Sequence, residues 1–333
     1  MTVQERGPGS GTGPAVPPPS APGSSEPGSV ASGSTAGGPA VLEFEAIGTH
    51  WQIETPEPLG LEVRGAVSAR IADFDRAYSR FRDDSVVAAA ARGAGRYEFP
   101  PDAVPLFELY DRLFAATGGA VDPLVGRELE LLGYDREYTL VPVPAADRAG
   151  EDALPRASWT VDVERDGPAI TTRRPLVIDV GAAGKGYLVD LVAAVLREHG
   201  VSSFVVDASG DLVHAGPVGG EPIRIGLEHP SQPGTAIGVA RLQDASLCAS
   251  AVNRRAWGEG LHHVLDARTG QPARSVVATW VVARTTALAD GLATALFFTS
   301  AHELAKSFHF SCVRMYADGR AEISRDFPGE LFT

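Results

Sequence analysis

IDVGAAGKGYLVDLVAAVLREHG, residues 178–200, is the stretch from which the architecture is read. With Leu176 and Val177 before it, the opening forms an apolar run, Leu176 to Val180, expected to be a strand. The run breaks into a Gly/Ala loop, and a helix is expected from about 185 to 199, ended by Gly200. A strand that feeds a small-residue loop and then a helix start presents backbone amides where a phosphate can sit. The pattern is not a P-loop. GxxxxGK[ST] needs Gly at 179 and Ser or Thr at 186, where this chain has Asp179 and Gly186, so a nucleotide triphosphatase is disfavoured. Taken alone, the segment fits a phosphate cradle or a tight turn with Lys185 in solvent.

Toward the N-terminus, Leu106, Leu109, Tyr110, Leu113 and Phe114 make a helical stripe stopped by Gly118-Gly119. Leu61, Val63, Val67, Ile71, Phe74 and Tyr78 predict another helix between about 59 and 82. VLEFEAIGTHWQIET reads as a hairpin turned at Gly48-Thr49. Toward the C-terminus, PLVIDV is followed by the strand-like runs SFVVDA, IRIGLEH, IGVARL, HHVLDA and VVATWVVA, with helix again expected near 286 to 307. Strands grouped with helices on one side predict α+β packing rather than a βαβ repeat. Residues 1–40 are nearly all Gly, Pro, Ser, Ala and Thr and are expected to be a disordered tail before a folded unit spanning 41–333. A Pro-rich charged connection is expected from about 136 to 157.

A formal charge of −13 without a Lys/Arg run argues against a nucleic-acid or anionic-membrane surface. An acidic chain that binds an anionic ligand then needs a metal ion or oriented amides at the phosphates. Cys248 and Cys312 lie in apolar runs without metal-ligand spacing and are expected as buried free thiols. The absence of a signal-peptide core or an 18-residue apolar stretch predicts a cytoplasmic protein with no integral membrane segment.

Several residues have the chemistry of a site. Asp290 and Thr294 in ALADGLATALF are four apart, so on a helix both project from one face as hard oxygen ligands suited to Mg²⁺, or as a local surface hydrogen bond. His263 in HHVLDARTGQP is a candidate base or a structural histidine, and His262 beside it would face the other way, toward solvent. Asp122 in GGAVDPLVG and Asp179 follow apolar residues, so each is expected to be partly buried and to need donors from a ligand or from neighbouring amides.

Taken in order, these segments resemble the ApbE-type FAD:protein FMN transferases. IGTHW is similar to that family's MGT-plus-aromatic opening, YSRFRDDS to its SRF segment, and GGAVDPLVGRELELLGYD to its GxxDxTVGPL and LWGF segments. IDVGAAGKGYLVD resembles DLGGIAKGYAVD, HHVLDARTGQP resembles HxIDPxTGxP, and ALADGLATALF resembles ADxLATALF. The resemblance implies a two-lobed α+β fold with FAD in the cleft between lobes. FMN would pass from FAD to a Ser or Thr hydroxyl of an acceptor protein, with release of AMP. Ile47, Phe81, Ala120, Val121, Asp122, Asp179, Lys185 and Leu265 would line the FAD site. Asp290, Thr294 and the Ala182 carbonyl would hold Mg²⁺, with Asp290 and His263 the catalytic residues. The implied partner is an acceptor flavoprotein, a membrane redox-complex subunit or a flavin reductase. Rival readings are an FAD pyrophosphatase giving FMN and AMP, and a non-catalytic FAD-binding protein. The chain departs from the pattern at Ile47 for Met, Ser209 for the first Gly of a GGD turn, Ala251 for the Gly of TSG, and Ala267 for the Pro of IDP.

Overall fold

A computed structural model describes residues 32–33, 38–144, 147, 155–217 and 222–332. Nine strands form one antiparallel sheet, in the spatial order Ser32–Gly33, Ala40–Ala46, Thr49–Thr55, Phe204–Asp207, Asp211–Ala215, Ser246–Ala251, Val276–Ala283, Ser311–Tyr316 and Ala321–Ile323. The expected hairpin is Ala40–Ala46 against Thr49–Thr55, with Ala46 opposite Thr49 and positive φ at both turn residues, Ile47 and Gly48. Most of the span 1–40 lies outside the described residues; within it Ser32 and Gly33 pair with Leu42 and Val41.

Eight helices follow in chain order: α1 Leu61–Tyr78, α2 Val86–Arg92, α3 Ala103–Thr117, α4 Gly126–Leu131, α5 Trp159–Asp162, α6 Gly184–Glu198, α7 Thr286–Ala295 and α8 Ala301–Leu304. The central sheet alternates as a half-covered strand should. Along Val276–Ala283, Val281 and Ala283 join the core shared with the helices, while Ala278, Trp280 and Val282 join a separate apolar layer. That second layer is closed by Ile223–Glu228, Ala236–Leu242 and Gly329–Leu331, a three-stranded sheet that contributes Leu227, Ala240 and Leu242. On the helical face α6 and α7 lie against the middle strands, and Thr279 Oγ1 donates to Ala293 O of α7 at 2.8 Å. A smaller sheet, Gly95–Glu98, Ala169–Thr172 and Val163–Asp166, adjoins α2, α3 and α5.

The α6–α7 contact fixes the site. A Cβ on Gly186 would stand 2.4 Å from Thr286 O and 2.7 Å from Asp290 Cβ, so only glycine permits this approach. Asp190 on α6 caps α7 by accepting the Thr286 and Ala287 N–H groups at 2.9 and 2.8 Å. Gly118, with φ of 59°, closes α3 as its sequence predicts, and Gly119 N–H returns to Phe114 O at 2.8 Å.

Four expectations change. Leu176 to Val180 is extended but belongs to no sheet: Leu176 N–H goes to Ala90 O and Asp179 N–H to Pro123 O, partners in α2 and in the 3-10 turn Pro123–Val125 rather than along a neighbouring strand. HHVLDA is not one strand either, because His263, Ala267 and Ala273 donate to Arg255, Ala120 and Val264 in turn. His262 is buried, with Nε2 2.8 Å from Ala273 O, rather than facing solvent. The helix expected over 286 to 307 is two, since Ser300 starts α8 by accepting the Glu303 N–H. Both cysteines are buried free thiols, as expected.

Candidate active site

Three segments that are distant in sequence meet at the start of α6. Asp290, on α7, accepts the Gly186 N–H at 2.9 Å. One turn on, Thr294 Oγ1 donates to Ala182 O at 3.3 Å. The Asp290 carboxyl is almost fully buried, and burial first, then the Asp211 charge, pushes it well above the usual carboxylate range. Lys185 reaches back rather than outward: Nζ donates to Ala208 O at 2.6 Å and lies 2.9 Å from the buried Asp211 Oδ2.

Beneath the 180s loop, Asp179 takes Arg80 Nε at 2.6 Å and Gly181 N–H at 2.7 Å. Burial works against its charge, but Arg80 and the Gly181 amide outweigh burial and hold the carboxyl below its ordinary range. Arg80 donates a further bond to Tyr134 O at 2.9 Å and sits 4.3 Å from the Phe81 ring centre. Phe81 stacks on Tyr138 at 4.9 Å, and Tyr134 stacks on Trp257 at 5.5 Å. Leu265 packs into the same aromatic group. His263 lies next to it, with its N–H on Arg255 O and its Nδ1 3.4 Å from the same oxygen. Burial, then the Arg255 charge, drives its pKa down to about 3, so the ring is neutral at physiological pH.

Ala120, Val121 and Asp122 are buried where α3 turns into the next segment. Asp122 accepts Leu124 N–H at 2.8 Å and Trp159 N–H at 3.0 Å, so amides of the chain supply the donors that its burial requires. Burial still raises its carboxyl to about 6. Two family departures acquire a local meaning. Ala267 donates its N–H to Ala120 O at 3.0 Å, tying two motifs together by a bond that a proline could not make. Ser209 adopts a φ of 55°, in the region that suits glycine, and its Oγ donates to His50 O at 2.9 Å, joining this turn to the hairpin. Ile47, half-buried at a φ of 47°, is a β-branched residue in the same region, a strained setting of the kind that collects at sites. Ala251 lies in regular strand opposite Ala278, and its methyl packs into the layer between the two sheets.

The structure thus gathers Ala182, Lys185, Asp290 and Thr294 at one end of α6, and Phe81, Asp179, Leu265 and His263 at the aromatic group beside it. It also shows partners that sequence reasoning did not single out: Arg80, Tyr134, Asp190, Asp211 and Arg255. Arg80 adjoins Phe81 in the SRF segment, Asp211 completes the turn noted for Ser209, and Arg255 lies four residues after Ala251.

The residues present fit a Mg²⁺ ion. A carboxylate, a hydroxyl and a carbonyl are hard oxygen donors, and Mg²⁺ retains waters rather than demanding a full protein cage. A buried carboxyl beside a second carboxylate is also a group whose ionised form a divalent cation would stabilise. Among the described residues no three His, Cys, Asp or Glu side chains gather as a metal cluster.

Comparison with known proteins places the chain in a family. The ApbE family model matches residues 47–312, most of the chain. A protein of Klebsiella pneumoniae named FAD:protein FMN transferase is 27% identical over 270 residues, 77% of each chain. The ApbE protein of Thermotoga maritima superposes with a TM-score of 0.76 at 24% identity, covering 88% of this chain and all of that one. The flavin transferase ApbE of Vibrio cholerae superposes at 0.75 and 21% identity, covering 87% and 98%, a likeness of fold. The chain is a member of the ApbE family.

Proposed function

We propose that this protein is an FAD:protein FMN transferase that uses Mg²⁺, moves FMN onto a Ser or Thr hydroxyl of an acceptor flavoprotein and releases AMP. The observation that carries the reading is the meeting of Asp290, Thr294 and the Ala182 carbonyl at the amide-rich start of α6, in a chain of this family. In the reaction the acceptor oxygen forms a bond to the FMN phosphorus, the bond from that phosphorus to the AMP oxygen breaks, and the hydroxyl proton is released. When bound, Mg²⁺ would neutralise phosphate charge as it builds.

The chain's own residues supply the rest. Asp290, Thr294 and Ala182 would hold the ion, while Asp290 also fixes the first turn of α6 through Gly186. Lys185 offsets the buried Asp211, so the second carboxylate does not repel the anionic substrate. Phe81, Val121 and Leu265 offer apolar and aromatic surface to the flavin, with Ile47, Ala120, Asp122 and Asp179 around it. His263 is the candidate base: a neutral ring whose Nδ1 proton faces Arg255 O presents Nε2 as an acceptor. Its low pKa makes it a weak base in the empty cleft, which ranks Asp290 above His263. Acceptors of the expected kinds are a membrane redox-complex subunit and a flavin reductase; no described helix of this chain is long and apolar enough to cross a membrane itself.

The test is incubation with FAD, MgCl₂ and a candidate acceptor. Transfer gives a fluorescent acceptor band on a denaturing gel together with AMP. Free FMN and AMP without a labelled band would replace transfer by hydrolysis, and bound FAD without AMP would make the protein a carrier.

A further inference from the structure

Among the cations of the site, Arg80 is held by Asp179 and Lys185 by Asp211, which leaves Arg255 without an opposite partner, while the carboxylates Asp122 and Asp290 are met by backbone amides alone. Arg255 leaves the strand Ser246–Ala251 on a short loop and is half-buried, whereas its neighbour Arg254 is exposed and pairs with Glu228 at 2.6 Å. No carboxylate among the described residues lies within ion-pair distance of the Arg255 guanidinium. Its surroundings are the rings of Tyr134 and Tyr138, which meet edge to face at 5.5 Å, and the His263 ring that contacts its carbonyl. From there its charge is felt at His263, Asp179 and Asp290.

Taking a guanidinium out of water without an anion is costly, and in a chain of net charge −13 a carboxylate partner is easily found. A half-buried arginine left without a carboxylate, in the loop whose carbonyl holds His263, therefore points to an anion that arrives from outside. The planar fork of arginine matches phosphate oxygens by two parallel hydrogen bonds. Asp290 with a divalent ion, and the charge of Arg255 that reaches it, would together present two net positive charges, the complement of a dinucleotide diphosphate.

We propose that Arg255 is the substrate-anion residue of this cleft: its guanidinium binds the diphosphate of FAD and sets the preference for FAD over flavins that lack it. The proposal rests on the transferase reading of the site and adds a specificity-determining residue to it. Arg255 acts on affinity and orientation, while Asp290 and His263 act on the chemical step.

The experiment compares wild type, Arg255→Gln and Arg255→Lys in the full chain with MgCl₂ present, by titration with FAD, ADP and riboflavin. Thermal unfolding of each variant establishes that it is folded. The expected result is a loss of FAD and ADP affinity on the order of 10- to 100-fold in Arg255→Gln, the range for a hydrogen bond between charged groups, with riboflavin binding unchanged. Arg255→Lys should recover part of the loss, because it keeps the charge and gives up the fork. Unchanged FAD affinity in folded Arg255→Gln, or equal losses for FAD and riboflavin, would overturn the assignment alone. Absence of FAD binding by the wild-type chain would overturn it together with the transferase reading.

Discussion

Replacing Arg80 with Met removes one charge from a buried ion pair while leaving an apolar stem in its place. The side chains of Arg80 and Asp179 are 4% and 14% exposed, and their contact is 2.6 Å. Breaking such a pair from one side costs about 3–5 kcal/mol, because the remaining carboxylate is left uncompensated. Loss of the bond to Tyr134 O adds about 1 kcal/mol. Two features work the other way. Gly181 N–H still serves Asp179, and Arg80 Nη1 has no hydrogen-bond partner in the wild type, a desolvation cost of about 1–3 kcal/mol that the variant escapes. The net expectation is a loss of about 3 kcal/mol at pH 7, a large part of the roughly 5–15 kcal/mol that stabilises a domain. The pH dependence has a definite sign. In the wild type Asp179 is held below its unfolded value, so its contribution is present above about pH 4 and is lost as pH falls through the folded pKa. In Arg80→Met burial alone raises the carboxyl, which then binds a proton more readily folded than unfolded. The gap between the two proteins should therefore narrow between pH 7 and pH 4. Urea unfolding at both pH values measures it, with Arg80→Met/Asp179→Asn expected to recover part of the loss. A gap below about 1 kcal/mol at pH 7, or one independent of pH, would refute the reasoning.

Asp290→Ala should abolish AMP release with excess Mg²⁺ while retaining some FAD affinity, since apolar and aromatic groups around Phe81, Val121 and Leu265 are expected to hold the flavin ring; near-normal turnover would discard the metal assignment. His263→Ala should slow transfer by about 10²-fold. Because His263 is held down to about 3 in the free protein, wild-type kcat/KM should show no histidine limb between pH 5 and pH 8; a limb near pH 6.5 that vanishes in His263→Ala would contradict this burial. Gly186→Ala should cost about 1–3 kcal/mol in urea unfolding by pushing α6 from α7, and an unchanged midpoint would show that the contact yields freely.

The sequence by itself determined what depends on near neighbours along the chain. The apolar stripes of α1 and α3 follow helical spacing, the glycines after α3 can adopt positive φ, and the hairpin turn, expected at Gly48-Thr49, falls one position earlier at Ile47-Gly48. Those patterns are local, so they were legible. So was the order of motifs, which placed Asp290, Thr294 and Ala182 in one expected site. Tertiary structure decided which groups compensate one another. Arg80 and Asp179 are 99 positions apart, and Asp290 meets Gly186 across 104, distances over which no periodicity carries information. It also decided that Leu176 to Val180 is not a strand. Its apolar content suits a sheet, but the central sheet joins Thr49–Thr55 directly to Phe204–Asp207, and the run finds its hydrogen bonds in a helix and a 3-10 turn instead. Lys185, for which the sequence alone left a place in solvent open, is held by Asp211 and the Ala208 carbonyl, while Arg255, in an inconspicuous loop, is left without an anion. Residue type fixes what a side chain can do; only folding fixes which opposite charge reaches it first, because Coulomb and hydrogen-bond energies depend on distance in space and on burial, not on separation along the chain.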